Sequence, residues 1–364
     1  MILKNIHDFV YQQMLEYLTC RYYDRLWITY SKDIVLRPLS AKQKSEIKTY
    51  WREISGQNVS TRWHQLLYSL TGKFSVEYMP FEIYSKFLQI LSPRDARRAF
   101  DDKNLYRYLL KDFHIPHRVA ECCNGVYFLP EKSKSEVGFD QLLDTLYNVK
   151  DCIIKPSRGT DSGNGVVSLD VCDGIVEKSG EELSVFIRRY GDSFCVERKI
   201  HECENLQCLN SSSCNTIRVL TYRDAYLQKI RYILSYIRIG RKGNVMDNAC
   251  SGGLCARINS DGVLENAVSL YPYKEYTSTD SSIIIRGYQI ENHDKIVNTA
   301  VAAHSALPMF GFIGWDMVID SDGNVVIIEF NPDPDMRFGQ VIFKSSYLGE
   351  HQVDIMRATF RQGK

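Results

Sequence analysis

No run of eighteen consecutive apolar residues occurs in the 364-residue chain, so the sequence holds no candidate for a membrane-spanning helix. An excess of charge of one sign is also lacking. The 45 basic and 44 acidic side chains leave a formal charge of +1, which gives no case for a nucleic-acid groove or an acidic tail. The eleven cysteines form no C-x-x-C pair, and structural zinc sites need tighter spacing than theirs. Free thiols packed as small hydrophobes are the better reading. No G-K-[ST] and no G-x-G-x-x-G is present, which excludes a Walker loop and a dinucleotide fingerprint.

What remains is a chain of ordinary globular composition, 44% apolar and 24% charged, long enough for two or three domains. The opening segment MILKNIHDFVYQQMLEYL is interrupted by His7, Asp8 and Glu16. It reads as an amphipathic helix and not a signal peptide, so a cytoplasmic location is expected. Residues 1–91 read as a helical segment. Ser40 is placed to cap a helix through Gln43 and Trp51, and Thr61 to Leu70 and Phe81 to Leu91 carry apolar residues at helical spacing. Ser92-Pro93 predicts the start of a helix over about Arg94 to Asp112.

From residue 118 strands and helices alternate, which predicts an α+β or α/β domain. A hairpin is expected about Asn124-Gly125 and another about Ser321-Asp322-Gly323. Helices are expected over Phe139 to Tyr147, Glu181 to Tyr190, His293 to Ala306 and Tyr347 to Phe360.

Four features could carry chemistry. In GWDMVIDSDGNVVIIEFNP, Asp316 and Glu329 lie on two strands joined by a tight turn, and Asn331 shares the face of Glu329. Three oxygen ligands on one face suit Mg²⁺; the bland alternative is a polar strand end with solvated acids. In KPSRGTDSGNGV, Lys155 ends an apolar strand before a loop rich in glycine, where backbone N–H groups can approach phosphate oxygens. The alternative there is a mobile hairpin loop. In VERKIHECENL, Glu197 ends a strand and Glu204 follows; taken alone, this is an exposed charged connection. Arg218 and Arg238 sit on apolar strands, where each needs an anionic partner or a solvent-facing side.

In this order, the segments DDKNLY, IIKPSRGTDSGNGV, VERKIHECENL, NTIRVLTY, DNACSGGL and GWDMVIDSDGNVVIIEFNPDPD resemble the ATP-grasp superfamily. Within it they look most like the sugar-transfer-associated ATP-grasp proteins of bacterial polysaccharide biosynthesis. The resemblance implies two α+β lobes with nucleotide between them, preceded by the helical segment. The corresponding divisions are 1–91, 92–200 with the phosphate loop, and 201–364 with the metal site. It implies that Lys103 and Lys155 contact ATP phosphates and that the loop holding Gly159, Ser162 and Gly163 closes over them. Glu197, Lys199 and Ile200 would bind adenine, largely through backbone groups, and Glu204 the ribose. Asp316, Glu329 and Asn331 would hold Mg²⁺, as two ions, with Mn²⁺ as an alternative metal.

Arg218, with Arg158, is the implied catalytic pair, Arg218 stabilising the transferred phosphoryl group or a tetrahedral intermediate. Asn248, Gly252, Gly253 and Arg238 would contact substrate. The implied reaction is ATP-dependent ligation of a carboxylate to an amine; a phosphotransferase and a non-catalytic nucleotide-binding module are the alternatives. The expected partners are small-molecule or glycan-linked substrates, with no nucleic acid and no membrane span. The sequence departs from the superfamily at Gly314, where many of its ligases carry arginine, and in PDPDMRFGQ and SLYPYKEYTS.

Overall fold

In the computed structural model, residues 34–130, 136–159, 163–243, 247, 252–270 and 273–361 are described, with Arg25, Trp27, Ile28, Ser31 and Lys32 ahead of them. The expected amphipathic helix at the N-terminus lies outside the described residues, as do Ser162 and Asn248. The chain divides into two compact units, Met1–Leu91 with Asp335–Lys364, and Ser92–Pro334.

The first unit is helical: Ala41–Ser55, Arg62–Thr71, Phe81–Leu91, Met336–Phe343 and Gln352–Arg361. Ser40 closes a reciprocal cap with Gln43, satisfying two of the N–H groups that a helix start leaves unpaired. The sequence reading ran the C-terminal lobe to residue 364. Residues 335–364 instead fall in the helical unit, where Gln352 donates to the Tyr50 hydroxyl at 3.1 Å and the Glu77 carbonyl at 2.9 Å.

The second unit begins with a helix that is shorter than expected. Arg94–Phe100 is followed by a 3₁₀ turn, Lys103–Leu105, and a single α-turn, Tyr106–Leu109. The break has a local cause. The Asp102 side chain accepts the Asn104 N–H at 3.0 Å and starts a new cap. Ser92, expected as an N-cap, instead donates its hydroxyl to the Phe312 carbonyl at 3.2 Å.

Two antiparallel sheets follow. The six-stranded sheet contains β1 (Arg118–Cys123), β2 (Val126–Phe128), β3 (Glu136–Val137), β4 (Cys152–Pro156), β5 (Val167–Leu169) and β9 (Phe194–Arg198), in the order β3-β2-β1-β9-β4-β5. A small sheet of β6 (Val171–Cys172), β7 (Ile175–Val176) and β8 (Glu181–Glu182) lies between β5 and β9 in sequence. Asn124 and Gly125 turn the β1–β2 hairpin with φ of 51° and 82°, as the Asn-Gly pair predicts. Helices Phe139–Leu146 and Leu183–Tyr190 bury Leu142, Leu146, Phe186 and Ile187 in one core with Ile154, Phe194 and Val196.

The seven-stranded sheet contains β10 (Ile217–Asp224), β11 (Lys229–Ile239), β12 (Leu254–Ile258), β13 (Leu264–Leu270), β14 (Tyr273–Tyr276), β15 (Phe312–Ile319) and β16 (Val325–Asn331). Their order is β14-β13-β12-β11-β10-β15-β16. Side chains alternate across it with the period of two that strands impose. Ile217, Val219, Ile237, Ile239, Trp315 and Met317 share one core with Ile296, Ala300 and Ala303 of helix His293–His304. The intervening residues Arg218, Tyr236, Arg238, Gly314 and Asp316 are therefore on the opposite face. A mixed architecture with leading helices and two α+β lobes is thus the fold. Among the described residues no helix is long and apolar enough to cross a membrane, and every cysteine is free.

Candidate active site

The face of the seven-stranded sheet away from its helix collects the charged residues. Asp316 and Glu329 are direct register partners across the β15–β16 hairpin, and Asn331 lies opposite Gly314. Arg218 is the register partner of Asp316 on the other side. Its Nε and Nη2 both donate to the Asp316 carboxylate, Nη2 to Oδ2 at 2.8 Å. Arg238 Nη2 reaches the same Oδ2 at 3.0 Å. The Asp316 side chain is only 6% exposed. Burial alone would raise its carboxyl, but Arg218 and Arg238 outweigh that and hold it below the ordinary value.

Arg238 is itself fixed from behind. Its Nε donates to Thr216 Oγ1 at 2.9 Å, and Asp247 Oδ2 takes both the N–H (2.9 Å) and the hydroxyl of Thr216. Asp247 Oδ2 lies 3.6 Å from Arg238 Nε.

Gly314 answers why no side chain stands two residues before Asp316. A Cβ there would lie 2.8 Å from Pro334 Cβ, 3.2 Å from Arg218 Cδ and 3.2 Å from Leu220 Cδ2. The space is filled by the stem of Arg218, arriving from the next strand.

A second buried charge cluster belongs to the six-stranded sheet. Lys155 Nζ lies 2.7 Å from Glu197 Oε2, and Arg118 Nη2 lies 3.1 Å from Glu197 Oε1. Burial opposes charge on both Lys155 and Glu197. The pairing outweighs it, so the lysine is raised and the carboxyl, held by Lys155 and Arg118, is lowered. Arg118 was not singled out by sequence reading, although an arginine opening the buried run RVAECC carries the same signal as Arg218 and Arg238. It joins the two clusters: its Nη2 donates to the Lys103 carbonyl at 3.0 Å, while Lys103 Nζ lies 3.0 Å from Glu329 Oε1. The Lys103 N–H donates to the Ser157 carbonyl at 2.8 Å, just beyond Lys155.

Other expected site residues are placed differently. Arg158 is half-exposed and its Nε donates to Asp102 Oδ2 at 2.7 Å; among the described residues it makes no bond to the Asp316 cluster. The Gly159 N–H is turned to Asp101 Oδ2 at 3.4 Å. Gly163 has φ of 74° and precedes Gly165, where a Cβ would lie 2.8 Å from Pro156 Cγ, so the loop closes onto the end of β4 only as glycine.

Lys199 extends to Asp170 (3.4 Å) and Asp151 (3.8 Å), and Ile200 packs against the core of the seven-stranded sheet. Glu204 is exposed and its side chain makes no hydrogen bond or ion pair among the described residues. The buried acid of that segment is Glu202, whose oxygens accept the Asn215 N–H at 2.6 Å and side-chain amide at 3.0 Å. Burial pushes its carboxyl up to about 7. Gly252, with φ of 84°, and Gly253 lead directly into β12.

The sequence matches the sugar-transfer associated ATP-grasp family over residues 82–354. The chain belongs to that family. No curated protein matches it in sequence. Among solved structures it is similar to the ATP-grasp ligase PsnB complexed with a minimal precursor, at 16% identity and a TM-score of 0.40, over 76% of this chain and 63% of that one. It is also similar to the VanG D-Ala:D-Ser ligase from Enterococcus faecalis, at 15% identity and a TM-score of 0.39, over 71% and 61% of the two chains. Likeness to the N5-carboxyaminoimidazole ribonucleotide synthetase purK, in its ADP complex, is at 14% identity and a TM-score of 0.39, over 69% and 50%. The chain spans about three-fifths of the length of PsnB.

Proposed function

We propose that this ATP-grasp protein is an ATP-dependent carboxylate–amine ligase. The observation that carries the reading is the set of oxygens and cations on one sheet face: Asp316, Glu329 and Asn331 beside Arg218, Arg238 and Lys103. Two carboxylates and an amide on adjoining strands are hard oxygen donors of the kind Mg²⁺ takes, with phosphates and water completing its shell. Asp316, Glu329 and Asn331 would hold the ion or ion pair, which would supply neutralisation of phosphate charge. Lys103 and Lys155 would meet the phosphates, and the glycine loop would exclude water from the reacting centre.

The chemistry needs no covalent nucleophile. A carboxylate oxygen attacks the γ-phosphorus of ATP, the bond to the β-phosphate oxygen breaks, and ADP leaves. The amine nitrogen then attacks the acylphosphate carbon, and inorganic phosphate departs with the C–O electron pair as the amine loses its proton. Arg218 and Arg238, locked by Asp316, keep charge-stabilising groups in place before reaction. The sugar-transfer association of the family supports a uronic acid or sugar-linked carboxylate as one substrate and an amino acid or amino sugar as the other.

The test is incubation with ATP, Mg²⁺, a pool of such carboxylates and hydroxylamine. Hydroxamate with ADP and phosphate is expected; a stable phosphoester would make the protein a phosphotransferase, and no turnover a binding module. Glu329→Gln should abolish hydroxamate formation with the fold retained, and full activity in that variant would remove the metal assignment.

A further inference from the structure

Tyr236 stands on the site face of β11, directly opposite Arg218 in register and two residues before Arg238. It is 3% exposed. Arg218, Arg238, Asp316 and Cys255 are its charged or ionisable neighbours. Arg218, Asp316 and Thr216 are bonded within the cluster, whereas the Tyr236 hydroxyl makes no hydrogen bond among the described residues. The same holds for Arg238 Nη1: Nε is taken by Thr216, and Nη2 is shared between Thr216 and Asp316. Neither atom is wholly enclosed, and the Arg238 side chain is 19% exposed, so both donors open onto solvent from a strand that is otherwise buried. Two such donors on one face of one strand, beside guanidinium and carboxylate groups already bonded to one another, mark the place of an external acceptor.

We propose that the Tyr236 hydroxyl and Arg238 Nη1 form the seat of one carboxylate, each donating to one of its oxygens. Naming that carboxylate as the acceptor to be activated rests on the ligase reading above. Charge favours a carboxylate over a phosphate. Arg218 and Arg238 are balanced by Asp316 and Asp247, so the cluster accommodates a monoanion held mainly by hydrogen bonds. A dianion would need a further cation. A guanidinium N–H and a phenol O–H are donors of the kind that the two oxygens of a carboxylate accept. Burial raises the phenol well above its ordinary value, so Tyr236 stays a donor at neutral pH.

The full chain labelled with ¹³C at tyrosine Cζ provides the test, with sodium acetate as probe and sodium chloride and inorganic phosphate as controls. Tyr236→Phe identifies the Tyr236 resonance by its loss, and the remaining tyrosine resonances report that the fold is intact. The Tyr236 resonance is expected to shift saturably with acetate, not with chloride, and to require about tenfold more acetate in Arg238→Gln, the loss of one charged hydrogen bond. An immobile resonance, an equal shift with chloride, tighter saturation by phosphate, or an unchanged midpoint in Arg238→Gln would each overturn the proposal. The hydroxylamine assay separates the two readings. Acetate binding without hydroxamate sinks the ligase, whereas hydroxamate formation undiminished in Tyr236→Phe sinks the carboxylate seat.

Discussion

Asp316 and Glu329 face each other across one hairpin, and both are proposed metal ligands, yet the structure gives them unequal stakes in the fold. The Asp316 side chain is 6% exposed and receives two guanidinium groups. The Glu329 side chain is 34% exposed and meets Lys103. Asp316→Asn would leave Arg218 and Arg238 side by side with their shared counter-charge removed. Breaking a buried pair from one side costs about 3–5 kcal/mol. Glu329→Gln removes the more exposed partner of a pair whose Lys103 side chain is 8% exposed, and that loss costs less, about 1–3 kcal/mol. In a unit of this size each kcal/mol moves Tm by about 2–4 °C. Urea unfolding followed by circular dichroism, with thermal melts beside it, should therefore separate two variants that both abolish turnover. Equal losses of stability would refute the reasoning, because the arginine pair would not then be what holds Asp316.

Lys155→Met should destabilise by about 1–3 kcal/mol, since Glu197 would keep Arg118 but lose a buried hydrogen-bonded partner; a variant as stable as the parent in urea would dissolve the second charge cluster. Glu202 gives a pH signature. Its folded-state pKa of about 7 exceeds the ordinary 4.5, so the folded chain binds that proton more tightly, and stability falls as pH rises from 4.5 to 7 before levelling. Urea midpoints of Glu202→Gln should lack that component, and parallel pH profiles for the two proteins would reject it.

The strands that build the site were legible because their two faces differ. NTIRVLTY and GWDMVID alternate between residues that enter the helix-backed core and residues that do not, so Arg218 and Asp316 stood out as charges on buried strands. Register followed from the same alternation, and Asp316, Glu329 and Asn331 fall where the hairpin pattern put them. What strand patterns do not encode is partner choice across segments distant in sequence. Arg118 with Glu197, Lys103 with Glu329 and Asp247 with Thr216 are pairings between elements that nothing local relates. The helix expected over Arg94 to Asp112 failed for a local reason that was present in the text: Asp101-Asp102 is a capping sequence inside an apparently continuous period. Glu204 and Glu202 show the limit of spacing as a guide. Both are acids after the same strand, and only burial distinguishes the one that is bonded to Asn215 from the one that faces solvent.

The glycine before Asp316 bears on whether Arg218 takes the place of the arginine that many ATP-grasp ligases carry there. A Cβ at position 314 would press on Arg218 Cδ and Leu220 Cδ2 at 3.2 Å and on Pro334 Cβ at 2.8 Å. Glycine and the arginine stem thus occupy one volume between them, and the guanidinium reaches the carboxylate from β10 instead of β15. If that is the reason for glycine, the two positions must be coupled. Gly314→Ala alone should cost about 1–3 kcal/mol through overpacking. In an Arg218→Ala background the Cδ is gone, so the same change should cost less, though not nothing, because Pro334 and Leu220 remain. A double-mutant cycle on unfolding free energy measures that difference directly. Coupling of roughly 0.5 kcal/mol or more in the compensating direction is expected at this contact. Strict additivity would mean that Gly314 makes room for Pro334 and Leu220 only, and that Arg218 owes its position to Asp316 and not to the missing side chain.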